Sequence, residues 1–437
     1  MHECIPPRTG GSSALKNSGM AVLLLLLLLL PLLPCAAALS AIHRSGPSLP
    51  DQSMNNGGSS APWPGAREGA TAVRSGGGAV WVYGGNGYLG SGAVGLAGEF
   101  WSFAAGLDGV DPNAPQSGEW AEVRDWQRAW PAGGSGVADA HGSYAALGAA
   151  SARAWPGCRA EHAAWLAPDG ALLLFGGNGI GPDSVPGPRN DLWKYQENPS
   201  SWTWLGGDIG TGAAGTYGSA GEEILWPGAR SGHTVVLDAS GSAWLFGGIG
   251  VGESAVAGRS VLSDLWSLSP DARIWSFAGG SRAINSRGEF GSEPWPGARQ
   301  GHVSWRTAAN EVCLFAGRGY GNAAFGYLND MWCFSVAGTQ WRAVGGSEAP
   351  GEVSRYTGAD AWPGGLTRAA AVKDQQGTVW LFGGYGYATA DSAGYLHDLW
   401  AWGADTDQVW THEGGSKQTN SAGLYGTLGS AARNGWP

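Results

Sequence analysis

Three histidines, His162, His233 and His302, recur at matching places in the chain, each just after an arginine (Arg159, Arg230, Arg299). Each is followed downstream by an acid-apolar-Trp run: Asp191-Leu192-Trp193, Asp264-Leu265-Trp266 and Asp330-Met331-Trp332. Imidazole titrates near neutral pH and binds transition metals, so this set invites a metal or proton-transfer reading. Recurrence at one repeat position favours a structural His–Arg–acid network instead. That is the role assigned here, with no metal site and no cofactor expected. No G-x-S-x-G, H-E-x-x-H or paired-cysteine metal motif occurs, so no catalytic residue is nominated.

A second set of candidates is aromatic. The chain repeats a short glycine-centred run: Asn86-Gly87-Tyr88, Asn178-Gly179-Ile180, Ile249-Gly250-Val251, Arg318-Gly319-Tyr320 and Tyr385-Gly386-Tyr387. Tyr88, Tyr320, Tyr385, Tyr387 and Arg318 from these runs, with Tyr327 from the same long connection (318–329), are the candidate ligand-binding residues, able to offer ring faces to a sugar or a peptide. The structural alternative, favoured here, is a recurrent turn that packs each loop on its own repeat. No helix follows these glycines, so they are not phosphate-binding loops.

These residues are positioned by a repeat. Trp-Pro recurs at Trp63, Trp155, Trp226, Trp295, Trp362 and Trp436. Behind each of the first five come four short runs in a fixed order. A W-P-G-A-R-type lead opens the first run. An apolar second run ends in Gly-Gly, as in Trp244-Leu245-Phe246-Gly247-Gly248. The third carries Trp101, Trp193, Trp266, Trp332 or Trp400, and the fourth centres on Trp120, Trp202, Trp275, Trp341 or Trp410. Four β-prone runs separated by Gly, Asp, Asn and Pro make a four-stranded antiparallel unit. Such a unit buries its aromatic faces only against neighbours like itself. The repeated tryptophans thus read as packing between units.

The double glycine, the third-strand aromatic, the fourth-strand Trp and the Arg-x-Gly-His lead resemble the kelch repeat over about residues 62–437. The resemblance implies an all-β fold, a β-propeller of at least five four-stranded blades, with the long 2–3 and 4–1 connections on one face. Truncation from a ring of six or more is the alternative, since Trp436-Pro437 looks like the start of a sixth repeat. Kelch-type propellers serve adhesion, scaffolding and a few enzymes, so the resemblance carries fold further than function. A protein- or glycan-binding module is the reading adopted. The alternative is a carbohydrate-active enzyme similar to galactose oxidase, whose copper site takes Tyr and His ligands with a Cys–Tyr crosslink.

Composition agrees. Gly (77) and Trp (25) are abundant, charged residues make up 14%, and the net charge is −10. No Lys/Arg cluster appears, which argues against nucleic acid and against anionic membranes. Residues 1–41, with Leu23 to Leu30 at their centre, read as a signal peptide, and 42–61 as a flexible linker. A secreted or lumenal protein is expected, membrane-bound only if the leader is an uncleaved anchor. Cys313 and Cys333 fall on neighbouring strands, where a disulfide or two buried thiols would both fit.

Overall fold

The computed structural model describes residues 64, 67–76, 78–89, 94–104, 119–122, 138–218, 225–253, 260–389, 392–405 and 407–423. The expected leader (1–41), the linker (42–61) and Trp436 lie outside the described residues. Among those described, the chain is all-β and no helix forms; none is therefore long and apolar enough to cross a membrane. It folds as many small antiparallel sheets.

The third repeat shows the plan. Strands Thr234–Leu237, Ala243–Phe246, Leu265–Leu268 and Trp275–Gly279 pair in that order as an antiparallel meander. Repeats one, four and five build the same meander. In the second repeat a fifth strand, Ala150–Ser151, joins the outer edge beside Ser200–Gly206. That strand comes from the stretch that lengthens the first repeat.

The long connections between second and third strands pack on their own repeats, as the recurring glycine-centred runs suggested, but as paired strands and not as turns. Each pairs with the lead into its own first strand to form a three-stranded sheet. In the fourth repeat this sheet is Arg299–Gln300, Arg318–Tyr320 and Phe325–Tyr327. The central glycine of each run explains why it recurs. A Cβ on Gly319 would stand 2.1 Å from the Ala298 carbonyl oxygen, and one on Gly386 2.1 Å from that of Gly365. Only glycine lets the strand lie that close.

Successive sheets stack through aromatics. Tyr83, Phe175, Phe246 and Phe315 close the second strands, and each meets the fourth-strand Trp of the following sheet. Those partners are Trp202, Trp275, Trp341 and Trp410, at centroid distances of 5.6, 5.1, 5.4 and 5.0 Å. The second glycine of each pair, held at positive φ, adds a backbone link to the next sheet. Gly85, Gly177, Gly248 and Gly317 donate to the carbonyls of Arg159, Arg230, Arg299 and Leu366 at 2.8–2.9 Å. Gly384 in the fifth repeat has no such carbonyl partner among the described residues. The stack is continuous from first to fifth sheet, and the described residues do not show that link closing back onto the first.

Cys313 and Cys333, directly opposite on neighbouring strands, are joined by a disulfide. Closing a loop with a sequence separation of 20 stabilises by about 3 kcal/mol on the chain-entropy account. Melting with and without reductant checks this: a drop of that size is expected for the reduced protein, and for Cys313→Ala/Cys333→Ala with or without reductant.

Candidate functional site

The polar residues at the repeat's core are structural, and their spacing explains how. Within a strand, residues two apart share a face. In Asp264-Leu265-Trp266 the indole N–H therefore reaches back to its own strand's acid, at 2.7 Å from Asp264 Oδ2. Arg230 clamps the same carboxylate with two bonds of 2.7 Å, and both side chains are fully buried. The Tyr217 hydroxyl donates to it at 2.6 Å. Burial alone would push the Asp264 carboxyl up, but the Arg230 charge and these bonds hold it below the usual range. The same constellation recurs as Arg159, Tyr144 and Trp193 around Asp191, and as Arg299 and Trp332 around Asp330. The fifth repeat, with Leu366 in place of arginine, gives Asp398 the Tyr356 hydroxyl at 2.5 Å.

On the connections between repeats, buried Tyr217 and half-buried Phe290 and Tyr356 pack against Trp266, Trp332 and Trp400. One sequence expectation changes here, that for the histidines. They stand apart from the Arg–acid network. Each packs edge-on against the aromatic closing the preceding sheet's second strand: Tyr83–His162, Phe175–His233 and Phe246–His302, at 5.5–5.6 Å. Burial, followed by the arginine beside each, lowers His162 and His302 to about 3 and His233 well below its ordinary value. They are neutral packing residues. Cys158 is a buried thiol that burial pushes up to about 12. The one His/Cys/Asp/Glu grouping at metal-binding spacing among the described residues is Glu311 with Cys313 and Cys333. Its two sulfurs are already bonded to each other.

An accessible aromatic group lies on the three-stranded ribbons. In the fourth repeat Arg318 pairs with Tyr327 and Tyr320 with Phe325, while Gly319 faces Gly326 between them. Alternation therefore puts one cation and three rings on one side of the ribbon. Tyr320 and Phe325 meet edge-on at 5.1 Å, and the Arg318 guanidinium lies over Phe325 at 5.1 Å and Tyr327 at 5.8 Å. Tyr327 crosses to the fifth repeat, touching Tyr385 at 5.7 Å and Tyr387 at 5.8 Å; Tyr385 in turn meets Tyr395 at 5.2 Å. Phe325 and Tyr395 are exposed, at 42% and 37%. Of the six residues nominated from sequence, the structure brings together Arg318, Tyr320, Tyr327, Tyr385 and Tyr387. Tyr88 sits on the first repeat's ribbon, Asn86–Tyr88, outside this set of contacts.

Beside this cluster is a feature the sequence reading passed over. The five repeats each turn at positive φ between ribbon and first strand, at Gly69, Glu161, Gly232, Gly301 and Arg368. Backbone bonds link them in series: Glu161 to Gly69, Gly232 to Glu161, Gly301 to Gly232 and Arg368 to Gly301. Three positions are the glycine such a conformation favours. The other two are charged, and Arg368 forms an ion pair with Glu161 across 207 residues of sequence. The row of turns therefore curves back on itself. The signal was present in the alignment of repeats, where Arg-Ala-Glu-His at residues 159–162 replaces the Arg-Ser-Gly-His of 230–233.

No family model matches the chain, and no curated protein does. Among solved structures it is similar to one described as "Structure of YjhT", at 15% identity. The match covers 83% of this chain and 87% of that one, with a TM-score of 0.48.

Proposed function

We infer that the chain is an exported kelch-type β-propeller of at least five blades that works as a binding module. Its ligand, a glycan or a protein, is taken on the face carrying the three-stranded ribbons. The kelch reading is supported by the recurring double glycine, by the Arg–acid–Trp clamp and by the regular stacking of the sheets. A disulfide between Cys313 and Cys333 suits an oxidising compartment.

The observation that carries the binding role is the aromatic cluster of Tyr320, Phe325, Tyr327, Tyr385 and Tyr387 around Arg318. Rings presented side by side on paired strands offer a sugar or a peptide flat apolar faces with little entropy to lose. A glycan array probed with the exported chain tests this, with Tyr387→Ala as the variant. Losing one stacking ring is expected to weaken binding about five- to tenfold, from the roughly 1 kcal/mol such contacts contribute. Equal binding by the variant would place the ligand elsewhere, and silence on every glycan would leave a protein partner as the reading.

A further inference from the structure

We propose that Arg368 and Arg318 form a clamp for an anionic group on the ligand, and that the Glu161 carboxylate holds the Arg368 side of it when no ligand is bound. The inference rests on the glycan-binding reading above and narrows it to acidic saccharides, those bearing a carboxylate or a sulfate.

The two arginines belong to one surface. Arg318 lies over Tyr327 at 5.8 Å. The ribbon bearing Tyr327 is stitched to the strand that leads into Arg368, because Leu366 donates its N–H to the Leu328 carbonyl. A Cβ at Gly365 would stand 2.3 Å from the Tyr327 carbonyl oxygen, so the two segments are in direct contact. Burial raises the Tyr327 phenol above its ordinary value, while the charge of Arg318 and, more weakly, that of Arg368 pull it back.

Neither cation is fully committed. Arg318 is exposed and makes no ion pair with a described residue. Arg368, with 55% of its side chain exposed, gives one nitrogen to Glu161 Oε1. The other Glu161 oxygen accepts from the Ser231 hydroxyl at 3.2 Å. The backbone at Glu161 and Arg368 sits at φ 57° and 56°, where the equivalent turns use glycine. A left-handed conformation disfavours side chains with a Cβ, so two charged residues held there face each other against local preference. A guanidinium presents several donors in a fixed fork that matches carboxylate and sulfate oxygens, and nearby rings suit the faces of a sugar.

The test uses two substitutions that return the repeat's own residue, Glu161→Gly and Arg368→Gly, so both proteins should melt like the parent. Binding is measured against polygalacturonate for carboxylate, dextran sulfate for sulfate, and unmodified dextran as the neutral control. Arg368→Gly should weaken binding of the acidic polymer at least tenfold. Glu161→Gly, which removes the internal competitor, should tighten it severalfold. Arg318→Gln should weaken it as well. Preference for polygalacturonate or for dextran sulfate then identifies the anionic group. If Glu161→Gly and Arg368→Gly shift affinity in the same direction, the pair is only a structural strut and the clamp is wrong. Binding of dextran that ignores both arginines would overturn the clamp but keep the glycan-binding reading. Binding of none of the three would remove both.

Discussion

Asp264→Ala is expected to destabilise the protein by about 3–5 kcal/mol, the cost of leaving a buried charge without its counter-ion. Arg230 is fully buried and donates both its carboxylate-directed bonds to this residue. The Tyr217 hydroxyl and the Trp266 indole N–H would lose the same acceptor. Water cannot replace the carboxylate without opening the packing between the second and third sheets, where Trp266 and Tyr217 both sit. Denaturant unfolding of the single variants and of the pair measures the effect. Arg230→Met in the Asp264→Ala background should recover part of the loss, because it removes the stranded charge. A loss under about 1 kcal/mol for Asp264→Ala would mean that the clamp is not the core of the repeat.

Acid is expected to act earlier, through the histidines. His162 and His302 have folded values of about 3, and His233 lies well below its ordinary value. In the unfolded chain all three titrate near 6.5. The folded state therefore binds fewer protons below that pH, and the stability present above about 6.5 is lost as pH falls toward the folded values. Over the 1.5 units from 6.5 to 5, each histidine contributes a loss of about 2 kcal/mol, roughly 6 kcal/mol for three. The buried aspartates follow only at lower pH, since their folded values lie below the ordinary carboxylate range. Chemical unfolding at pH 7 and pH 5 checks the sum. His233→Gln should remove about a third of the slope. Stability that stays flat between those two pH values would show that the histidines can be protonated in place.

Much of this architecture is legible in the chain because its rules are local. Gly-Gly after the second strand, acid two residues before Trp in the third, and Trp-Pro-Gly ahead of the first each act through neighbours at fixed offsets. The Asp264–Trp266 bond follows from the two-residue period of a strand and needs nothing else. The Cys313–Cys333 pairing was within reach for a similar reason, as the two lie opposite each other on adjacent strands. Five of the six nominated ligand residues come together because the fourth- and fifth-repeat ribbons lie side by side, with Tyr327 touching both Tyr385 and Tyr387.

The remainder depended on how the sheets stack. Nothing near Tyr217 in sequence announces that its hydroxyl reaches Asp264, 47 residues on, inside the next sheet. Its turn looks like an exposed connection until the stacking buries it. The histidines' neighbours are rings of the preceding sheet, so periodicity located the histidines but could not tell an ionic network from edge-on packing. Glu161 and Arg368 are the extreme case, 207 residues apart and joined only because the turns between ribbon and first strand curve round to meet. Sequence by itself determined the repeat and its four strands, since those follow from offsets of a few residues. Only the tertiary structure decided which polar groups share a site, because long-range contacts depend on the angle and order of packed sheets, which local spacing does not encode.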